Sequence, residues 1–482
     1  MKVLKFGGSS VADGGRIKSV TDIIFKAGQE SRVAVVLSAM KGVTDLLITA
    51  ARKAEEGSDD FKLALETVRA RHFDAVRFLF GAADHATALT PLAIMCNELE
   101  EILHGVELIK ECSARTMDLV MSFGERLSCR LAVDYMNTRG MSAELVDARD
   151  VILTDDRFGA AAVSFDTSYP LIRKRVAAAE GIPVIPGFIG ATAKGVTTTL
   201  GRNGSDYTAS IIGAGAQADV IEIWTDVDGV LSADPRIVPE AFVIPEISYE
   251  EAMELSYFGA KVIHPFTMVP AVEKDIPLLI KNSLNPAAPG TLIAAGNLIR
   301  RHGDRPITGI ASIEGISLVN IEGGGMMGIP GFAARVFSVL AREGINIIMI
   351  SQASSEHTIC LVFRTEEGER ALVSLTHELA PELGSKRIER FELLRDLLVV
   401  SVIGENMHGV PGMAGRLFSA LGQAGINVLV IAQGSSERNI SCVIEEKNHA
   451  LALRTIHAAF LGGLAPAAGA AAAPPARPRQ GS

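Results

Sequence analysis

Charged side chains set beside glycines recur along this sequence, and the cationic ones could act on an anion. Lys5-Phe6-Gly7-Gly8-Ser9-Ser10 follows an apolar run and is expected to leave a strand and enter a helix. Two glycines there let backbone N–H groups approach an anion, and a helix N-terminus adds favourable partial charge. A lysine at the strand end could then reach phosphate oxygens. A plain strand-glycine-helix turn has the same appearance. Gly201-Arg202-Asn203-Gly204-Ser205-Asp206-Tyr207-Thr208 is denser in polar groups. It follows a Thr-rich strand expected at Thr197–Leu200 and opens a small-residue helix expected over Thr208–Ala218. Arg202 could hold a carboxylate bidentately, Gly204 permits close approach, and Ser205 and Asp206 are placed at the N-cap. A capped helix with a solvated arginine is the bland alternative.

Trp224-Thr-Asp-Val-Asp-Gly-Val-Leu-Ser-Ala-Asp-Pro-Arg236 ends an apolar strand in three acidic residues, a glycine and an arginine. Loops at the C-terminal ends of parallel strands are where α/β proteins bind ligands, although a simple Asp-Gly turn reads alike. Met121-Ser-Phe-Gly-Glu125-Arg126 sets a carboxylate beside a glycine, which suggests a helix start; there a capping glutamate would be ordinary. Lys261, in Phe258-Gly-Ala-Lys-Val-Ile-His-Pro265, is by default a surface lysine, and His264 before proline reads as structural.

The elements that must position these groups follow from the apolar pattern. Residues 1–295 alternate short apolar strands with helical stretches: Val3–Phe6, Val33–Leu37, Pro183–Pro186, Val220–Trp224 and Pro277–Ile280 read as buried strands. Polar helical segments between them predict a mostly parallel sheet covered on both faces. The stretch from about 44 to 137 is richer in helix. Asn285–Gly290 and then Gly296–Pro306 read as a linker.

An internal repeat lies beyond it. Gly328-Ile-Pro-Gly-Phe-Ala-Ala-Arg335 recurs as Gly409-Val-Pro-Gly-Met-Ala-Gly-Arg416, and the Gly344–Glu356 segment recurs as Gly425–Glu437, 81 residues apart throughout. Each copy reads strand, turn, amphipathic helix, strand, strand, helix, one strand short of a four-stranded sheet. The first copy has a strand-like stretch after its second helix, Ser385–Phe391, but the second runs into an Ala/Pro tail. Ile307–Ile313 is the best candidate to supply the missing strand, which makes the first repeat an insertion within the second. The expected division is 1–295, a linker plus completing strand over 296–313, repeats at 314–394 and 395–461, and a disordered tail at 462–482.

At 482 residues and 48 % hydrophobic content the chain can bury two to four cores. A net charge of −10 argues against a nucleic-acid surface, so an anionic substrate must be met by a few local cations. Five scattered cysteines read as reduced thiols, and no apolar run is long enough to span a bilayer. A cytoplasmic protein without membrane contact is expected.

Together these segments resemble the aspartokinase branch of the amino-acid kinase family, from residue 1 to about 460. The resemblance rests on Lys5–Ser10, Ser122–Glu125, Gly201–Thr208, Trp224–Gly229, Phe258–Pro265 and the two repeats, which look like tandem ACT domains. Their wording, Glu254–Ala260 included, is most similar to the kinase portion of bifunctional aspartokinase–homoserine dehydrogenases, with the dehydrogenase portion expected to be absent. It implies an α/β fold, a mostly parallel sheet sandwiched by helices, followed by two βαββαβ ferredoxin-like ACT domains. It implies ATP-dependent phosphorylation of the L-aspartate side chain to 4-phospho-L-aspartate, the first step toward lysine, threonine and methionine.

The resemblance also gives roles to residues. Lys5 would contact the transferring phosphoryl group with Gly7, Gly8 and Ser9 around it, and Asp206 would orient that lysine. Ser38 and Thr44 resemble substrate-side residues; Glu125 would receive the aspartate α-ammonium, and Arg202 and Ser205 its α-carboxylate. Thr225, Asp226, Arg236, Lys261 and Val262 resemble the nucleotide set, with Leu231 standing where the family often has tyrosine. Mg²⁺ would arrive bound to ATP, with no dedicated protein site. Asn346, Gln352, Asn427 and Gln433 would hold a feedback amino acid, threonine before lysine, between paired repeats, through which a homodimer or homotetramer would form. Two other readings stay open: a kinase of the same fold acting on glutamate or N-acetylglutamate, and an amino-acid sensor with an inert kinase half. Glu125 weighs against an N-acetylated substrate, because a carboxylate buried beside a neutral amide is costly.

Overall fold

The computed structural model describes all residues except 83, 260–262, 300–304, 306, 325–330, 353–356 and 463–482. Lys261, Val262 and the tail after Gly462 therefore lie outside the described residues. The first eleven strands are β1 (Lys2–Phe6), β2 (Val33–Leu37), β3 (Ala143–Leu145), β4 (Leu153–Thr154), β5 (Ile182–Pro186), β6 (Ile189–Thr192), β7 (Thr197–Thr199), β8 (Val220–Thr225), β9 (Glu246–Ser248), β10 (Leu278–Asn282) and β11 (Thr291–Ala294). Between them run α1 (Gly14–Glu30), α2 (Val43–Glu55), α3 (Phe61–Leu79), α4 (His85–Ile109), α5 (Ala114–Thr138), α6 (Phe165–Ala178), α7 (Gly204–Ala216), α8 (Tyr249–Tyr257) and α9 (Pro265–Val272).

Eight of these strands make one sheet in the order β3-β5-β2-β1-β8-β10-β11-β9, parallel except where β10 meets β11. Alternation along the strands sends Leu4, Phe6, Val33, Val35 and Leu37 into a core with α1 to α5. Val3, Ala34, Val36, Ile221 and Ile223 face a second core with α6, α7 and α9. With both faces covered, the strands read as unbroken apolar runs. A second small sheet, β4-β6-β7, was not anticipated, although its strand β7 is the Thr-rich strand expected at Thr197–Leu200. β4 and β6 are two and four residues long, too short for a period-two pattern to register.

The repeats contribute β12 (Gly309–Glu322), α10 (Phe332–Arg342), β13 (Met349–Gln352), β14 (Thr358–Arg364), α11 (Thr365–Glu378), α12 (Ala380–Gly384), β15 (Arg390–Ile403), α13 (Met413–Gln423), β16 (Val430–Gln433), β17 (Asn439–Glu445) and α14 (His449–Leu461). They form one six-stranded sheet, β13-β14-β12-β15-β17-β16. β12 and β15 each serve both repeats: Ile316–Glu322 pairs with β14, while Gly309–Ile313 pairs with Val399–Ile403 beside β17. The register shifts between Ile313 and Ile316, where Gly315 turns with φ +63°. The two edge strands approach each other, and the Ser351 hydroxyl donates to the Ile431 carbonyl at 3.1 Å. The strand after the first repeat's second helix starts at Arg390, not Ser385, because α12 and a left-handed Lys386 occupy the intervening turn. No described helix is long and apolar enough to cross a membrane, and all five cysteines are unpaired.

Candidate active site

A cavity of about 420 Å³ opens at the C-terminal ends of β1 and β2, against the first turn of α7 and the middle of α5. Lys5, Gly7, Gly8, Ser38, Thr44, Glu125, Arg202, Ser205 and Asp206 all line it. They come from four separate stretches of chain, so the fold, not the sequence neighbourhood, assembles them. Lys5 is 7 % exposed and forms an ion pair with Asp206 at 2.5 Å.

Three local expectations change. The glycine turn does not run straight into a helix: α1 begins at Gly14, capped by the Asp13 carboxylate on the Arg16 N–H at 2.9 Å. The Gly7 N–H is engaged by the Trp224 carbonyl at 3.2 Å, and a Cβ at Gly7 would lie 3.3 Å from the Lys5 ammonium. A Cβ at Gly8 would sit 2.9 Å from the Ala39 carbonyl oxygen, so only glycine lets the two loops meet. Next, α7 starts at Gly204 rather than Thr208, with left-handed Asn203 (φ +54°) as its cap. Ser205 and Asp206 thus occupy the first turn, where the helix dipole favours negative charge. Last, Glu125 lies in the middle of the 25-residue α5, not at a helix start. Gly124 is there for clearance, since a Cβ would meet the Ala39 side chain at 2.9 Å.

Glu125 is 4 % exposed, accepts a hydrogen bond from the Ala39 N–H, and has no partner for Oε2. Burial pushes its carboxyl up to about 8, and the Ala39 N–H only partly opposes this. Arg202 is exposed at the rim, one residue beyond left-handed Gly201 (φ +79°). Phe188 (φ +69°) is held opposite by its N–H on the Thr208 hydroxyl at 2.9 Å, and Gly187 admits the Ser205 side chain, which would lie 2.7 Å from an added Cβ. The loop bearing Ser38 and Thr44 is fastened by Arg71, whose guanidinium donates to the Lys41 carbonyl at 2.6 Å and the Ala12 carbonyl at 3.2 Å.

Ser9, Thr225, Asp226 and Arg236 are not in the cavity lining. Thr225 ends β8 and donates to Asp226 at 3.2 Å, while Arg236 is exposed and paired to Asp234 at 2.6 Å. Ser10, rather than Ser9, ties the glycine loop to this side, through Ser283 at 2.8 Å; Ser283 in turn donates to the Thr225 carbonyl at 3.0 Å. Sequence reasoning also missed Lys41, a third cation lining the cavity beside Lys5 and Arg202, although Lys41-Gly42 repeats the lysine-near-glycine signal of Lys5. His264 caps α9 through the Phe266 N–H at 3.3 Å.

Gln352 and Gln433 are exposed on the edge strands β13 and β16, and Asn346 and Asn427 are exposed at the turns before them. The repeats reach the N-terminal half through α8: Glu251 accepts from the Glu405 N–H at 2.9 Å and the Thr308 hydroxyl at 2.5 Å, Glu254 accepts from the Asn439 amide at 2.5 Å, and the Tyr257 hydroxyl donates to the Ile348 carbonyl at 3.1 Å. The turn after β8 joins them, with Ser232 bonded to His457 at 3.2 Å and Val238 buried against α13 and α14.

Residues 1–282 match the amino acid kinase family, and 319–379 and 400–460 each match the ACT domain. The chain belongs to the amino acid kinase family. It is 36 % identical, over 95 % of its length, to the bifunctional aspartokinase/homoserine dehydrogenase 2 of Arabidopsis thaliana, and covers 50 % of that protein. The chain spans about half the length of the bifunctional relatives it matches. Among solved structures, E. coli aspartokinase III in complex with aspartate and ADP superposes with a TM-score of 0.78 at 30 % identity, over 96 % of this chain and all of that one. The same enzyme in complex with lysine and aspartate gives 0.76 at 31 %, over 95 % and 99 %.

Proposed function

We propose that this chain transfers the γ-phosphoryl group of ATP to the side-chain carboxylate of L-aspartate. The observation that carries this reading is the buried Lys5–Asp206 pair in one cavity with Glu125 and Arg202. The E. coli enzyme that superposes on this chain was crystallised with aspartate and ADP, which supports the same substrate class. A carboxylate nucleophile is already ionised at neutral pH and needs no general base. The difficulty is to bring two anions together. Lys5 neutralises the transferring group, Asp206 holds the lysine in place, and Mg²⁺ enters with ATP as part of the substrate. Glu125 receives the α-ammonium, Arg202 and Ser205 the α-carboxylate, and Ser38 and Thr44 border the aspartate. Gly7, Gly8, Ser9, Thr225, Asp226 and Arg236 are assigned to the nucleotide, together with Lys261 and Val262, which lie outside the described residues. ATP-dependent formation of aspartyl hydroxamate tests the reading, with glutamate and N-acetylglutamate as controls. Hydroxamate from either control but not from aspartate would overturn it.

Arg202→Lys keeps the charge but loses the planar fork. The aspartate KM should rise about tenfold, the order of one lost charge-assisted hydrogen bond, while the ATP KM is nearly unchanged. A variant weakened mainly toward ATP moves Arg202 to the nucleotide side.

The repeats are assigned feedback control, with threonine as first effector and lysine second. The lysine complex of the E. coli enzyme supports an amino-acid effector in this fold. Gln352 and Gln433 on facing edge strands, with Asn346 and Asn427, would hold it, and the same edges would join copies of the chain into a dimer or tetramer. An effector inhibits only by binding the inactive arrangement better than the active one. An amide buried by the effector contributes about 1–3 kcal/mol. Gln433→Ala should therefore raise the inhibitory concentration roughly five- to a hundredfold, with uninhibited activity preserved. Indifference of the wild-type enzyme to both amino acids, singly and together, would end the sensor assignment.

A further inference from the structure

α5 carries a second acidic residue on the same face as Glu125. Asp118 lies seven residues earlier, two helical turns or about 10.5 Å along the axis, and is fully buried. Its carboxylate accepts three donors from two distant loops. Oδ1 takes the Thr199 hydroxyl at 2.8 Å, Oδ2 takes the Thr199 N–H at 2.9 Å, and the Gly159 N–H lies 3.1 and 3.0 Å from the two oxygens. Thr199 is the last residue of β7, three before Arg202. The Thr199 carbonyl accepts the Ala161 N–H at 2.9 Å, which closes the two loops on each other. A Cβ on Gly201 would lie 3.5 Å from the Gly159 carbonyl oxygen and from Ala160. The turn that presents Arg202 is thus bounded by two segments, and both are fastened to one carboxylate.

We infer that Asp118 is a positioning residue for aspartate: it fixes the Arg202 turn relative to Glu125, so that α5 sets the distance between the group receiving the α-ammonium and the group receiving the α-carboxylate. The inference rests on the substrate roles proposed above for Glu125 and Arg202. A fork that must meet a carboxylate in two directions tolerates little displacement, and a shift of about 1 Å can cost up to a hundredfold. None of these residues is among those assigned to the nucleotide.

Asp118→Ala is expected to raise the aspartate KM roughly ten- to a hundredfold, with the ATP KM and kcat within about threefold. Asp118→Asn restores most of the affinity, because its oxygen still accepts the two backbone N–H groups while its amide donates to the Thr199 hydroxyl. In an Arg202→Ala background the Asp118→Ala increase should vanish, since there is no fork left to position. An increase that persists in that background, or one shared equally by ATP, overturns the inference. Should Asp118→Ala not fold, Thr199→Val decides: it removes one donor, and the expected result is a severalfold rise in aspartate KM that again disappears with Arg202→Ala. No change in Thr199→Val overturns the inference. Arg202→Ala alone separates the two levels of argument. If it leaves the aspartate KM untouched, the substrate assignment itself is wrong; if it raises KM while Asp118→Ala does not, only the positioning role fails.

Discussion

Lys5→Ala should lower kcat by about a hundredfold or more, the order of 3 kcal/mol of lost transition-state stabilisation, while the aspartate KM changes less. The lysine is 7 % exposed, lies one residue before the end of β1, and has Asp206 at 2.5 Å, while a Cβ on Gly7 would come within 3.3 Å of its ammonium. A cation so confined needs no reorganisation when negative charge spreads over the transferring phosphoryl oxygens. Its removal does a second kind of harm. Asp206 is only 9 % exposed, and without its partner that carboxylate stands alone beside an incoming polyphosphate. The double variant Lys5→Ala/Asp206→Ala should therefore be no slower than Lys5→Ala, and could be faster. Steady-state rates for the three variants check this, with thermal unfolding to exclude loss of fold. A kcat within a few-fold of wild type for Lys5→Ala would remove Lys5 from the mechanism.

The central strands were legible because burial on both faces leaves continuous apolar runs; the Lys5 and Arg202 stretches stood out as glycine beside a cation, a pattern shared with plain turns, and it was the resemblance that gave them roles. Glycine also misled. Gly124 was taken as a sign of a helix start, whereas it clears the Ala39 side chain in mid-helix; Gly204 was passed over as a helix residue, whereas it opens α7. Gly124 answers to Ala39, far along the chain, which local propensity cannot report, and α7 begins after the left-handed Asn203 that caps it. Asp118 has the same history. A single aspartate in an amphipathic pattern carries no signal until Gly159 and Thr199 arrive from 41 and 81 residues away. The repeat itself was plain at its 81-residue offset, and a missing strand could be inferred from a count of elements. That β12 and β15 would each run through both repeats and merge them into one sheet was not, because register follows from which edges meet in space.

Between pH 6 and about 8 the aspartate KM is expected to fall by up to tenfold per pH unit and then level off. Burial holds the Glu125 carboxyl at about 8 in the protein without ligand, so near neutrality it is mostly protonated. An α-ammonium placed beside the orphaned Oε2 supplies the countercharge that burial withholds. Binding then expels the proton, and below the raised pKa each pH unit costs about 1.4 kcal/mol of affinity. The ATP KM should show no such slope, and Glu125→Gln should bind aspartate weakly at every pH. Stability gives an independent reading with the opposite sign. A carboxyl whose folded pKa is raised keeps a proton that the unfolded chain releases. From about pH 4.5 to about 8 the unfolded state binds fewer protons, and stability falls as pH rises through that window. Glu125→Gln removes this loss. Without ligand it should match wild type near pH 5 and exceed it by several kcal/mol, at most about 5, near pH 8.5. One substitution would then weaken substrate binding and strengthen the fold, as expected of a group whose burial is tolerated for what it binds. Denaturant unfolding of both proteins at pH 5 and 8.5, alongside aspartate KM from pH 6 to 9, measures the two slopes. A stability difference that does not change with pH, together with a flat aspartate KM, would show that Glu125 is ionised in the empty cavity and that its charge is not linked to substrate binding.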